Sequence, residues 1–191
     1  AAQLVETIYP QPLTLAAITR ILRALLKDGI PISHPQPIFS SLSDGVQATL
    51  DHNVLVDQVR ASLGALIVGK VCSPVITLDA RLEGTILQGL TDPTSGEPVL
   101  EPELARNIGE RIASLANGRP AGSCPPALIV QPGTRRAMTA LLRMRAPSCL
   151  VLSIAELPQN QPIEVLDVIG AEASDDLPPQ TARNHIESIA A

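Results

Sequence analysis

The three histidines and three cysteines of the chain are its first candidates for catalysis or metal binding. Zinc sites and cysteine-based active sites need a second ligand, base or carboxylate at a short, regular spacing. None of these six residues has such a partner, so we predict reduced thiols, no metal site and no disulfide framework. The residues are His34, His52, His185, Cys72, Cys124 and Cys149.

Ser153 is the last residue of a predicted strand and invites comparison with a hydrolase nucleophile. A nucleophile elbow needs glycines beside the serine to form its strained turn, whereas Leu152 and Ile154 flank Ser153. We therefore expect the hydroxyl to cap the next turn. Residues 118–123 contain glycines without the order of a phosphate-binding loop, and the prolines that follow lack backbone donors. The sequence predicts no catalytic residue and no cofactor.

Arginine is concentrated on one predicted helix, residues 134–145. One interpretation is a solvated helix face whose basic end is favoured by the helix dipole. The other is a docking surface for an acidic partner protein. The docking candidates are Arg135, Arg136 and Arg143, with Arg145 in the same cluster.

Composition excludes some classes of function. The chain has 191 residues, 45% of them apolar and 17% charged, which suits one packed domain or two small ones. A net charge of −5 and only Tyr9 and Phe39 as aromatic residues disfavour nucleic acid as a partner, because such binding needs clustered cations and stacking rings. No apolar run approaches the roughly 18 residues of a membrane span.

The first part of the chain, residues 1–70, has helical periodicity. Thr14 is a predicted cap for a helix that ends at Asp28-Gly29, and an extended proline-rich connector follows over 30–37. A short helix is predicted within 38–50. Asp51 and Asn53 then cap a third helix that runs to about Val68.

The second part, residues 71–175, alternates strands with helices. Asp79 and Glu101-Pro102 start two helices, and 134–145 is the third. The turn-rich stretch 91–98 and the loop 118–126 connect elements, and 176–191 is an acidic, mobile tail with a weak helix near 182–189. We predict a mixed α+β fold: a helical subdomain followed by a small α/β sandwich with a partly parallel sheet. The strands are predicted over 74–78, 127–131, 149–153 and 163–169.

Several stretches resemble, in the correct order, the bacterial type III secretion export-gate family (the FlhA/LcrD family, also called FHIPEP). The likeness covers about residues 4–170, which makes it far more specific than any single motif. The matching stretches are LTLAAITRILRALLKDGIPI (13–32), LVDQVRASLG (55–64), PVITLDARLE (74–83), ALIVQP (127–132), LVLSIAELP (150–158) and IEVLDVIG (163–170).

The resemblance implies a role in protein export. Family members have a membrane region in the inner membrane and a cytoplasmic domain of four subdomains; this chain resembles the last two, over 1–70 and 71–175. The family's cytoplasmic domain forms a nonameric ring that receives chaperone–substrate complexes, the stalk protein of the export ATPase, gatekeeper proteins and other export apparatus proteins. This portion is not known as an enzyme in the family.

One feature departs from the family pattern, and another distinguishes between two branches of the family. Residues 33–37 replace the usual start of the second helix, so that helix is expected to be shorter or displaced. The sequence after Gly170 is closer to injectisome members than to flagellar ones.

We expect the ring contacts to be electrostatic. The polar face of the first helix would pair with acidic residues of a neighbouring copy, since rim charges set the register of an interface. The interface candidates are Arg20, Arg23, Lys27, Asp51 and Asp57.

The alternatives to an export-gate role are a small α/β regulatory or enzymatic domain with no recognisable site, and a winged-helix-like DNA binder over 1–70.

Overall fold

The computed structural model describes residues 2–69, 72–90, 101–118, 123, 126–159 and 162–170. The turn predicted over 91–98 and the tail 176–191 lie outside these residues, as does most of the predicted loop 118–126.

The N-terminal part is helical, and the caps predicted at Thr14 and Asp51 are confirmed, whereas Asn53, also predicted as a cap, lies inside its helix. Thr14 accepts a hydrogen bond from the N–H of Ala17 at 3.2 Å, and Gly29 ends the same helix at φ 76°, a conformation that glycine tolerates. Among the described residues the helices are α1 (Ala2–Ile8), α2 (Leu15–Lys27), α3 (Pro35–Gly45), α4 (His52–Ser62) and α5 (Gly64–Val68).

The structure corrects three details of this part. The helix α1 is absent from the prediction. The helix α3 begins at Pro35, inside the predicted connector, because proline fits the first helical turn. The helix predicted from Asp51 to Val68 is divided at Leu63 into α4 and α5, and this break brings Gly64 against the backbone of Glu156.

The second part is a parallel sheet with helices. Its described elements are β1 (Cys72–Leu78), α6 (Ala80–Gln88), α7 (Pro102–Asn117), β2 (Pro126–Val130), α8 (Pro132–Leu142), β3 (Leu150–Ser153), a 3-10 turn (Ile154–Glu156) and β4 (Val165–Ile169). The described strands lie in the order β3-β2-β1-β4, and all three pairings are parallel, where the sequence predicts a partly parallel sheet. Asp79 caps α6 as predicted, accepting from the N–H of Arg81 at 2.9 Å.

The sheet separates two hydrophobic cores. Ala127 and Ile129 of β2 belong to the core formed with the N-terminal helices, whereas Leu128 and Val130 belong to the core formed with α6, α7 and α8. Every residue of β2 is therefore buried, as expected for a parallel strand covered on both faces. The sheet fixes the N-terminal helices and α8 relative to each other.

Candidate interaction surfaces and the ion cluster beneath them

A buried arginine of α4 joins the N-terminal helices to the end of β3. Arg60 is fully buried, and its Nε and Nη2 donate to the two carboxylate oxygens of Glu156 at 2.9 and 2.8 Å. Nη2 also donates to the carbonyl of Val151 at 3.1 Å, and Nη1 to Asp28 at 3.2 Å. Such a bidentate pair is strong and fixes orientation.

A second buried arginine extends this arrangement to α8. Arg135 donates from Nη1 to Asp28 at 2.9 Å and from Nη2 to Asp57 at 2.6 Å, and its Nε lies 3.6 Å from Glu156. Arg136 donates to the other oxygen of Asp57 at 2.6 Å. Three arginines thus face three carboxylates, and we call this set the ion cluster: Arg60, Arg135, Arg136, Asp28, Asp57 and Glu156.

Electrostatics keep Arg135 charged inside the protein. Burial lowers the pKa of Arg135, but the carboxylates of Asp57, Asp28 and Glu156 outweigh this effect, and the pKa ends above its ordinary value. A buried cation is tolerated only when it is paired in this way. The cluster is therefore a structural joint between α2, α4, α8 and the 3-10 turn.

The start of α8 is held by a second buried carboxylate. Glu83 of α6 accepts from the N–H of Gln131 at 2.8 Å and lies 3.4 Å from the hydroxyl of Thr134. A carboxylate at a helix N-terminus satisfies unpaired N–H groups and complements the helix dipole. Glu83 and the ion cluster together position the arginines of α8.

The predicted docking residues differ in how far they are exposed to solvent. Arg135 is 2% exposed and belongs to the ion cluster, so its assignment to a solvated face or a docking surface is corrected. Arg136 is half-buried, and its guanidinium bonds Asp57. Arg143 is exposed at the end of α8. Arg136 and Arg143 thus remain as docking candidates.

The predicted basic face of α2 is divided. Arg20 and Arg23 are exposed and border an open depression of about 700 Å³ with Leu15, which is 65% exposed. Lys27 instead borders a different depression, which it shares with Arg136 and Arg143.

The two acidic interface candidates also differ. Asp51 is exposed and accepts from the N–H groups of Asn53 and Val54 at 2.7 and 3.2 Å. These backbone bonds, from Val54 and Asn53, lower the pKa of Asp51 below its ordinary value of 3.8. Asp57 is already paired with Arg135 and Arg136 within the chain, so Asp51 is the acidic residue still available to a neighbour.

Residues that suggested chemistry occupy structural positions. The Oγ of Ser153 donates to Glu156 at 3.3 Å and does not bond a backbone N–H of the following turn, unlike the predicted cap. Burial raises the pKa of Cys149 to about 11, which makes its thiol unreactive at neutral pH. Among the described residues, no group of three or more His, Cys, Asp or Glu side chains could hold a metal ion.

Sequence reasoning named Arg135, Arg136 and Asp57 in other roles and missed the ion cluster that they form with Arg60, Asp28 and Glu156, although a signal was present. Arg60 lies four residues after Val56 and three before Leu63, so it falls on the buried stripe of its helix. Arg135 lies three residues before Met138 and seven before Leu142, so it also falls on the buried stripe of its helix. A charged residue on an apolar stripe predicts a buried ion pair, and Arg60 and Glu156 both lie in stretches that carry the family resemblance.

Residues 1–162 match the FHIPEP family, and the chain belongs to that family. It is 30% identical over 175 residues to the flagellar biosynthesis protein FlhA of Escherichia coli. That match covers 89% of this chain and 25% of FlhA, so the chain spans about a quarter of this relative.

Solved structures share the fold. The MxiA protein of Shigella flexneri matches with a TM-score of 0.78 and 26% identity over 88% of this chain and 56% of that one. Chlamydia pneumoniae CdsV, in a complex with CdsO, matches with a TM-score of 0.73 and 25% identity over 87% of this chain and 49% of that one. A nonameric SctV-C from EPEC has a TM-score of 0.75 and 24% identity over 88% of this chain and 52% of that one.

Within the described residues, no helix combines the length and the hydropathy that a membrane span needs.

Proposed function

We propose that this chain is a ring-forming and docking part of the cytoplasmic domain of a type III secretion export gate. In this role it takes part in recruiting secreted substrates and passing them across the bacterial inner membrane, and it works by binding rather than by catalysis. The family match over residues 1–162 carries the proposal, and the shared fold with MxiA supports it. We further propose that the gate belongs to an injectisome, which the structural likeness to MxiA and CdsV supports.

The surface that we propose for self-assembly is the outer face of α2. Arg20, Arg23 and the exposed Leu15 border one open depression, which combines apolar area with two cations. Asp51 at the start of α4 is exposed and offers a carboxylate of opposite charge on a neighbouring copy. Lys27 and Asp57 contribute less to this contact, because Lys27 faces α8 and Asp57 is paired within the chain.

The partners that we propose beyond the chain itself are those of the family: the stalk protein of the export ATPase, chaperone–substrate complexes, the gatekeeper and other export apparatus proteins. The complex of CdsV with CdsO is consistent with such docking. On this chain the docking candidates are Arg136 and Arg143 of the α8 region, which the ion cluster and Glu83 hold in place.

The test is the absolute mass of the chain in solution over a concentration series. Light scattering with refractive-index detection suits it, because one Tyr and no Trp absorb weakly. We expect a discrete assembly of about nine 20.1 kDa subunits. A monomer at every concentration would contradict ring formation by this chain, and binding of the stalk protein would then test the docking role alone.

Charge reversal tests the assembly surface. Arg20→Glu/Arg23→Glu should shift the assembly to smaller species, because it places carboxylates opposite Asp51. The matched control is Arg81→Glu/Arg106→Glu, which changes the net charge equally at exposed positions away from this face. An unchanged assembly size in the first variant would refute the pairing.

A further inference from the structure

A groove runs between the C-terminal turns of α2 and α8. It consists of two adjoining depressions of about 390 and 180 Å³, which share Lys27, Asp28, Thr139 and Arg143 in their walls. We call it the α2–α8 groove. The larger half is within the range of about 300–1,000 Å³ that ligand-binding clefts occupy.

The walls of the larger half are mainly apolar. Leu142, Pro147 and Leu150 line it, together with Leu26 at the rim. Leu26 is 52% exposed although it lies in the last turn of a well-packed helix. Leu26 continues the apolar lining of Leu142, Pro147 and Leu150 onto the surface, and a contiguous apolar patch of this kind is typical of binding surfaces.

The charge available at the groove is basic. Lys27 and Arg143 are exposed and form no ion pair within the described residues. Asp28 also lines the groove, but its carboxylate is engaged by Arg60 and Arg135. Two uncompensated cations flank this site in a chain of net charge −5.

The smaller half contains an unsatisfied polar atom. The Nε2 of His52 is buried beside this depression and has no hydrogen-bond partner in the described part of the chain. A buried polar atom without a partner costs about 1–3 kcal/mol. His52 lines this depression, so an occupant that enters it brings hydrogen-bonding groups toward the imidazole.

We propose that the α2–α8 groove binds an extended acidic peptide segment of a partner protein. An apolar side chain of the segment fills the pocket of Leu26, Leu142 and Leu150, and its carboxylates pair with Lys27 and Arg143. Charge complementarity selects this occupant, because a basic peptide would meet two cations at the rim. The proposal specifies the partner chemistry of the docking role proposed above and rests on that role.

The test is fluorescence anisotropy with two labelled decapeptides and the full chain at about 0.15 M salt, where long-range charge effects are screened. The first peptide carries four glutamates and two leucines in a glycine–serine background. The second has glutamines in place of the glutamates. We expect the glutamate peptide to bind at least about tenfold more tightly.

Three double variants locate the binding. Lys27→Glu/Arg143→Glu should abolish the preference for the glutamate peptide, and Lys27→Gln/Arg143→Gln should reduce it if the first variant does not fold. Arg81→Glu/Arg106→Glu changes the net charge as much as the first variant and should keep the preference. Methyl NMR of the bound chain should show shifts at Leu26, Leu142 and Leu150.

Three outcomes would overturn the proposal. Equal binding of the two peptides would show that charge does not select the occupant. If Lys27→Glu/Arg143→Glu and Arg81→Glu/Arg106→Glu weaken binding of the glutamate peptide equally, net charge rather than the groove attracts the peptide. If a lysine-containing peptide or single-stranded DNA binds more tightly than the glutamate peptide, the partner of the groove is not an acidic peptide. An intact nonamer in any of these cases would leave ring formation standing and remove only the groove.

Discussion

Breaking the buried pair between Arg60 and Glu156 should destabilise the whole chain. In Arg60→Met, the carboxylate of Glu156 stays buried and keeps only Ser153 at 3.3 Å and Arg135 at 3.6 Å. Removing one partner of a buried ion pair costs about 3–5 kcal/mol. Because these contacts remain, we expect about 3 kcal/mol, or a fall in Tm of about 6–12 °C for a domain of this size.

Removing both charges should cost less than their separate removal. Arg60→Met/Glu156→Leu leaves no unpaired charge at that position, and buried pairs are often replaced by apolar residues at little cost. We expect the double variant to be more stable than the sum of the two single variants predicts, by at least about 1 kcal/mol. Urea denaturation followed by far-UV circular dichroism measures this, since the chain has no Trp and one Tyr.

The matched control is an exposed pair. Arg106 and Glu110 lie 3.8 Å apart on α7, with side chains 58% and 68% exposed, so Arg106→Met/Glu110→Leu should show coupling of no more than about 0.5 kcal/mol. The reasoning is refuted if Arg60→Met costs less than about 1 kcal/mol. It is also refuted if the buried and exposed pairs show the same coupling.

Three further predictions concern single positions. Gly64→Ala should destabilise the chain by about 1–3 kcal/mol, because its Cβ would overlap the carbonyl oxygen of Glu156; Gly84→Ala in α6, where a Cβ meets nothing within 4 Å, should be neutral or stabilising in the same urea titration. The pKa of Asp51 is lowered in the folded chain, so its ionised carboxylate stabilises the fold fully at pH values above the ordinary pKa of 3.8. This stabilisation is lost as the pH falls through the lowered pKa. The difference in Tm between wild type and Asp51→Ala should therefore narrow as the pH falls from about 6 to below about 3, and a constant difference would contradict the role of the carboxylate. With its pKa of about 11, the thiol of Cys149 in a variant where it is the sole cysteine should react with a disulfide reagent at neutral pH only after unfolding; rapid reaction of the folded chain would show that it is accessible.

The elements that sequence predicts well are those with local signals. The caps at Thr14, Asp51 and Asp79 each bond an N–H two or three residues further on, so a short window contains all the information. The strand β2 is predicted to within one residue at each end, because the four apolar residues Ala127 to Val130 between two prolines suit a strand covered on both faces. The helix α3 is harder to predict, since Pro35 is equally compatible with a connector and a first helical turn.

The ion cluster could not be predicted from local pattern because its bonds are long-range. Arg60 and Glu156 are 96 positions apart, and Arg135 and Asp28 are 107 apart. Periodicity shows that a residue lies on a buried stripe, but it does not show which distant carboxylate meets it there. For the same reason the basic residues of α8 could be proposed as a group, whereas only the folded chain separates the buried Arg135 from the exposed Arg143.

The two-sided burial of β2 has a practical consequence for anyone who divides this chain. Ala127 and Ile129 complete the core of the N-terminal helices, so a fragment ending near residue 70 would be left with an uncovered apolar underside and a tendency to aggregate. The remaining sheet would lose one of its two covers as well. The N-terminal helices and the sheet should therefore unfold in a single thermal transition. The backbone amide protons of β2 should be among the last to exchange with solvent.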